Sequence, residues 1–343
     1  MASVGRKVKG DYIFTIEKQA AWGTAVDTTA MIGLPCDNLT ITLEPGNIVI
    51  SRADGVRGTS EDVSYNDTSN SIAKAKFKCP LTPALSIALF PGLFQKNVAY
   101  SASPAGVFTY IPQAKADLPD PVVDTDAGVF YTIVRRSPIA STSEQISDAV
   151  MTTMKLSLDQ ASDDGLLMVE CEFIAPGSKH TLVANPQAAC TQASLVTLYK
   201  WSGLTTVSLN SSACVTDVIG FELNPTWNAK FQGDSPRGTV IFPRFECKGS
   251  IKVMGGGALD VEALKILCRT AAVASQIDLV IDWGDGTPAA NGELNLTSHI
   301  KMKSYPEETL DMMDGEIVTF DFDGEWGAAG EYPFESVSYY VAP

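Results

Sequence analysis

The sequence predicts a mainly β protein, an antiparallel β-sandwich or barrel-like fold with a short flanking helix, written twice in tandem. Three observations predict it. Apolar and polar residues alternate with a period of two in many short segments, as half-buried strands require. Gly, Pro and Asp clusters punctuate those segments. The order strand, loop, strand, helix, strand, hairpin occurs in the first half and again in the second.

The clearest unit runs from Cys214 to Cys268. Its first strand sets Ile219, Phe221 and Leu223 on one face against Val218, Gly220 and Glu222 on the other. Its second sets Phe245, Cys247, Ile251 and Val253 against Arg244, Glu246, Lys248, Ser250 and Lys252, one face core and one wet. After the glycines at 255–257, Asp260 is placed to N-cap a short helix. Val261, Leu264, Leu267 and Cys268 share its apolar stripe, with Glu262 and Lys265 outside it.

From the start of the chain, DYIFTIEKQAAWGTAVDTTA reads as a strand, a turn at Gly23 and a polar lead-in. Leu39, Ile41 and Leu43 then alternate with Thr40 and Thr42, and a slide of 180 residues lays them on Ile219, Phe221 and Leu223. A long polar loop, Asn47 to Asn70, leads to a strand in which Ala73, Ala75, Phe77 and Cys79 alternate with Lys74, Lys76 and Lys78. Thr82 and Pro83 supply the N-cap and first-turn proline of a helix carrying Leu85 and Leu89.

Residues 95–127, rich in Pro, Ala and Asp, read as an insertion. Beyond it come the strand GVFYTIVRR and a hairpin: Met154, Leu156 and Leu158, a turn at Asp163, Asp164 and Gly165, then Leu167, Val169, Cys171 and Phe173. A slide of 149 takes Phe130 to Leu279, and Val169, Cys171 and Phe173 to Val318, Phe320 and Phe322. The smaller offset fits a second half without the insertion, a length change that surface loops tolerate. The expected units are 1–180 and 190–343, joined by SKHTLVANPQAACTQAS.

With 45% hydrophobic and 19% charged residues the chain has a core to bury, which excludes disorder, and no apolar run approaches bilayer length. The N-terminus shows no signal-peptide pattern, so cytoplasmic synthesis is expected. Seven cysteines, at 36, 79, 171, 190, 214, 247 and 268, are spread singly, which favours reduced, buried thiols over disulfides or a metal cluster. A formal charge of −15 opposes nucleic-acid binding and suits a surface past which a polyanion slides.

The local motifs are weak. IDWGDGTP, with Asp282 and Asp285, lacks the spacing of a calcium loop and reads as a tight turn, as does DFDGEWG at 321–327. His180 and His299, the only imidazoles, have no nucleophile motif nearby. The glycines at 255–257 match no phosphate-binding loop. No catalytic, cofactor or metal site is therefore expected. The 47–70 stretch is more informative: it holds Arg52, Asp54, Arg57, Glu61, Asp62 and Asp67, and a loop of that length is usually functional or disordered. An arm that orders only against a neighbouring subunit accounts for it as well as a simply mobile loop does.

The aromatic-Gly-Thr turn of IEKQAAWGTAVDTT, the strand, the long polar loop, the second strand and the Leu-rich helix are followed by the Pro-rich excursion. A hairpin then opens with SEQISDAVMTTMKLSLDQ and closes with GLLMVECEFIAPG. Together they resemble the tail tube (major tail) proteins of long-tailed bacteriophages, and DVIGFELNPTWNAKF with FECKGSIKVMG looks like the second part of the longer members. The resemblance implies a tail-tube fold and a structural, non-enzymatic protein of the virion tail, without cofactor or metal. Its copies would form rings that stack into a hollow conduit for DNA.

The implied partners are the chain itself, as a homotrimeric pseudo-hexameric ring or a homohexamer, and tape-measure, terminator and tail-tip proteins. DNA would be only a passing cargo, and no membrane is involved. Contact between subunits or rings falls, by the same resemblance, on the 47–70 residues named above. In the second copy it falls on 226–240, with Lys230, Asp234 and Arg237. The competing readings are a capsid decoration or baseplate hub protein, a carbohydrate-binding β-sandwich built on IDWGDGTP and exposed tryptophans, and a hydrolase.

Overall fold

A computed structural model describes residues 13–26, 31–36, 38–53, 60–95, 101–102, 105–112, 128–136, 142–184, 191–192, 198–232, 239–255, 261–269, 276–284, 293–303, 307–311, 315–327 and 332–339. The first half carries β1 (Ile13–Lys18), β2 (Ile32–Gly33), β3 (Leu39–Ala53), β4 (Ser60–Pro80), α1 (Pro83–Phe94), β5 (Ser101–Ala102), β6 (Ala105–Tyr110), β7 (Tyr131–Arg136), β8 (Thr142–Asp159), β9 (Met168–Pro176), β10 (His180–Ala184) and β11 (Thr191–Gln192). The second carries β12 (Leu204–Leu209), β13 (Ser212–Ala213), β14 (Val218–Thr226), β15 (Lys230–Gln232), β16 (Thr239–Ile241), β17 (Glu246–Met254), α2 (Val261–Arg269), β18 (Gln276–Trp283), β19 (Leu294–Met302), β20 (Glu307–Asp311), β21 (Gly315–Gly324) and β22 (Glu335–Tyr339). The fold is mainly β and antiparallel, flanked by short helices; among the described pairs only β2 with β11 is parallel.

One strand order occurs twice. In the first half it is β3-β4-β9-β8-β7-β1. In the second it is β14-β17-β21-β19-β18-β12. Each helix follows the second strand of its set. Register repeats with order: Phe77 opposite Cys171 recurs as Ile251 opposite Phe320, and Ala75 opposite Phe173 as Gly249 opposite Phe322. The 149-residue offset on β9 and β21 therefore holds. On the first strand, Leu39 faces Phe77 as Phe221 faces Ile251, so the offset there is 182 and not 180.

The expected strand faces are seen on β4, β9 and β17, where Ala73, Ala75, Phe77, Val169, Cys171, Phe173, Cys247, Ile251 and Val253 are all buried. Two expectations fail for local reasons. On β14 the register shifts between Val218 and Gly220, so Val218 turns inward in place of Ile219, whose carbonyl accepts from Gln160 N at 3.0 Å. A bulge of one residue reverses the faces beyond it. On α2, Lys265 is buried and Ile266 exposed; the Lys265 ammonium donates to Glu262 Oε1 at 2.8 Å, so its charge is not left bare. Asp260 lies outside the described residues.

Helix α1 packs into the core, with Leu85, Leu89, Phe90, Leu93 and Phe94 all buried. Thr82 caps it, accepting from Leu85 N at 3.2 Å. Pro91 lies inside it, and the Tyr131 hydroxyl enters the backbone ladder beside that proline. The hydroxyl donates to Ala88 O at 2.7 Å and accepts from Gly92 N at 2.9 Å. A Cβ at 92 would overlap the hydroxyl edge of the Tyr131 ring, which favours glycine there.

Among the described residues, three of the connections between the halves stand out. β8 pairs with β7 and β10 along its first part and with β9 and β14 along its last. β6, from the excursion expected to be a surface insertion, adds to β22 at the end of the second half. The third is aromatic: Phe94 stacks on Tyr110 and Phe334, and Trp227 Nε1 donates to Leu93 O at 2.6 Å. The expected joint also begins as structure, since His180–Ala184 is β10.

Candidate assembly interface

The two halves meet edge to edge. β14 lies antiparallel on the last part of β8, with Phe221 opposite Leu158, Glu222 opposite Ser157 and Leu223 opposite Leu156. Leu156, Leu158, Phe221 and Leu223 turn into the core, while Glu222 meets Lys155 at 2.6 Å on the outer face. Burial pushes the Glu222 carboxyl up, but hydrogen bonds from Asn224 and Lys155 outweigh it and hold the group below its ordinary value.

The strands equivalent to this junction are open at the two ends of the joined sheet. β3 is the counterpart of β14, and among the described residues it pairs with β4 alone. The counterpart of the last part of β8 is β20: Leu156 and Ser157 face Val169 and Met168 as Glu308 and Thr309 face Val318 and Ile317. Among the described residues β20 pairs with β21 alone. An open edge is a row of unpaired N–H and C=O groups that another strand can add to. Carrying the internal register across would set Thr40 of one copy opposite Thr309 of the next, with Leu39 opposite Leu310. That contact is heterologous, of the kind that closes rings.

The 47–70 stretch, expected as a loop, is a hairpin. Beyond the body, β3 and β4 stay paired from Gly46 opposite Asp67 to Ala53 opposite Ser60. Ile48 faces Tyr65 and Ile50 faces Val63, and these β-branched and aromatic residues are the reason for strand here. Arg52, Glu61, Asp62 and Asp67 lie on this paired backbone; Asp54 and Arg57 lie outside the described residues. The extension runs for about 26 Å at the usual rise per residue. A lone two-stranded ribbon is marginal in water.

Its counterpart in the second repeat is used internally. β15 and β16 form a short hairpin, Trp227 beside it is buried against Phe242 and Phe245, and Phe231 packs toward Trp22 of the first half. Lys230 lies exposed on β15, whereas Asp234 and Arg237 are outside the described residues.

The other candidate positions scatter. Trp227 and Trp283 are buried, which removes two aromatics from any sugar-binding platform. His299 Nδ1 lies 2.8 Å from Asp278 Oδ1, and His180 Nε2 lies 3.7 Å from Glu144. Cys79, Cys171, Cys214 and Cys247 are buried free thiols, with Cys36 and Cys268 half-buried; Cys190 lies outside the described residues. Burial pushes the Cys247 thiol up to about 12. Among the described residues no cluster of His, Cys, Asp and Glu could hold a metal, and no helix is long and apolar enough to cross a membrane.

Asp282 carries a testable charge. Burial, then the neighbouring Glu293 carboxylate, push its carboxyl up to about 6, and Glu293 is itself buried with Oε1 unpartnered. The folded chain therefore holds this proton to a higher pH than the unfolded chain does. The resulting penalty is full above about pH 6 and gone once both states are protonated near pH 3.5. Asp282→Asn is expected to raise stability at pH 7.5 by about 1 kcal/mol, discounted for partial exposure, and to leave it unchanged at pH 3.5. Urea midpoints at the two pH values check this.

No family model matches the chain, and none of the curated proteins matches it.

Proposed function

We propose that this chain is a structural subunit that polymerises with itself into rings stacked as the tail tube of a long-tailed bacteriophage, a conduit for DNA. The observation that carries the reading is the internal junction between β8 and β14, together with its two open counterparts, β20 and β3. A chain that already contains one copy of a side-by-side contact, and ends in the two halves of another, is suited to endless or closed addition. Because each chain supplies two repeats, three chains would complete a six-repeat ring. The β3–β4 arm, projecting where its counterpart folds inward, is suited to the contact between rings. Tape-measure, terminator and tail-tip proteins would be its other partners.

Electron microscopy of the purified protein at high concentration, alone and with purified tail-tip complex added as template, tests this. Rings or tubes with a central hole and threefold end-on density are expected. Dispersed monomers under both conditions would overturn the reading.

A further inference from the structure

The outer face of the joined sheet is rich in lysine, contrary to what a charge of −15 leads one to expect of a wall that DNA passes. β4 contributes Lys74, Lys76 and Lys78, β8 contributes Lys155, and β17 contributes Lys248 and Lys252. Each of these has a carboxylate within 4 Å. Lys76 lies 2.6 Å from both Glu170 and Glu172, Lys155 lies 2.6 Å from Glu222, and Lys252 lies 3.5 Å from Asp159. Pairs this exposed add little to stability. What they alter is the surface presented to a polyanion, because a lysine held by a carboxylate must give up that partner before it can meet a phosphate.

Resting on the tube reading, we propose that this face lines the conduit as a charge-cancelled wall. Glu170, Glu172, Glu222 and Asp159 keep the lysines from retaining duplex DNA in transit. The geometry supports the placement. The opposite face of the sheet buries Phe77, Phe173, Leu156, Phe221, Ile251 and Phe320 in the core beneath the other strands and α1. A ring closed with that second layer on its outer side, where the circumference is larger, leaves the other face of the sheet toward the hole. The uncovered, ion-paired face is then the inner one.

The test compares two variants of equal charge, each raising the formal net charge from −15 to −11 by four substitutions. The face variant is Asp159→Asn, Glu170→Gln, Glu172→Gln and Glu222→Gln, which frees Lys76, Lys155 and Lys252. The control is Glu17→Gln, Asp278→Asn, Asp282→Asn and Glu325→Gln, none of which pairs with a lysine across an ion pair of the described residues. Retention of a fluorescent 25-base-pair duplex, a length of roughly two helical turns chosen to span the face, is read against salt. The wild type and the control are expected not to retain it. The face variant is expected to bind at least about tenfold more tightly than either, with a log–log salt slope of about −3, near −0.9 for each freed lysine.

Equal binding by both variants, binding by neither, or binding by the wild type would overturn the proposal. These results are read on the soluble chain and stand whether or not rings form. In assembled particles a heavy-atom label on Ser157→Cys is expected at the rim of the central hole. A label at the outer wall would overturn the placement and leave the ring reading intact.

Discussion

Replacing residues 47–66 by Asn-Gly is expected to leave the thermal midpoint of the chain within about 2 °C of wild type and to abolish its polymerisation. The first half of that result follows from pairing. Residues 46–53 and 60–67 pair only with each other among the described residues, and β4 reaches β9 no further out than Ile72. A two-residue Asn-Gly turn closes a hairpin without strain. The second half follows from the proposed use of the arm between rings. Calorimetry and microscopy on the same preparation read both. Tubes of normal length formed by the shortened chain would remove the arm from the account, and a large fall in midpoint would show that it belongs to the core.

Trp227→Ala is expected to cost about 5 kcal/mol. The side chain is fully buried and packs against Phe242 and Phe245 with ring centroids 5.8 and 5.1 Å away. Truncating a buried aromatic costs about 3–5 kcal/mol, and the Leu93 carbonyl left unpaired adds about 1–3 kcal/mol. The thermal midpoint should fall by roughly 10 °C. Trp227→Phe keeps most of the packing and loses only the hydrogen bond, so about 1–2 kcal/mol is expected there. Chemical denaturation of the two variants separates the terms. An alanine variant as stable as the phenylalanine one would mean that Trp227 does not tie α1 to the second repeat.

What was legible in the sequence is what a period of two encodes. β9 and β21 carry unbroken alternation, Val169, Cys171, Phe173 and Val318, Phe320, Phe322, so their faces and their equivalence could be read directly. The helix start at Thr82 was legible because a cap and a proline are local signals. The face of β14 was misread at Ile219 because a bulge leaves no mark in the pattern. The arm was misread because its charged residues outweighed Ile48, Ile50, Val63 and Tyr65, which carry the strand signal. The junction itself was not legible. Leu156 and Leu223 alternate alike whether their strand edges are open or joined, and only the pairing of distant segments makes β20 and β3 the unfilled copies of that joint.

The most direct test of the central claim is a mixed cross-link. Chains carrying Thr40→Cys are combined with chains carrying Thr309→Cys under assembly conditions, oxidised gently and run without reducing agent. If β20 of one copy adds to β3 of the next in the register of the internal junction, the mixture gives a covalent heterodimer. Each variant alone then gives none, and the double variant gives a ladder ending at a closed ring. Thr40→Cys chains linking to one another, or no link in samples where rings are visible, would contradict the account.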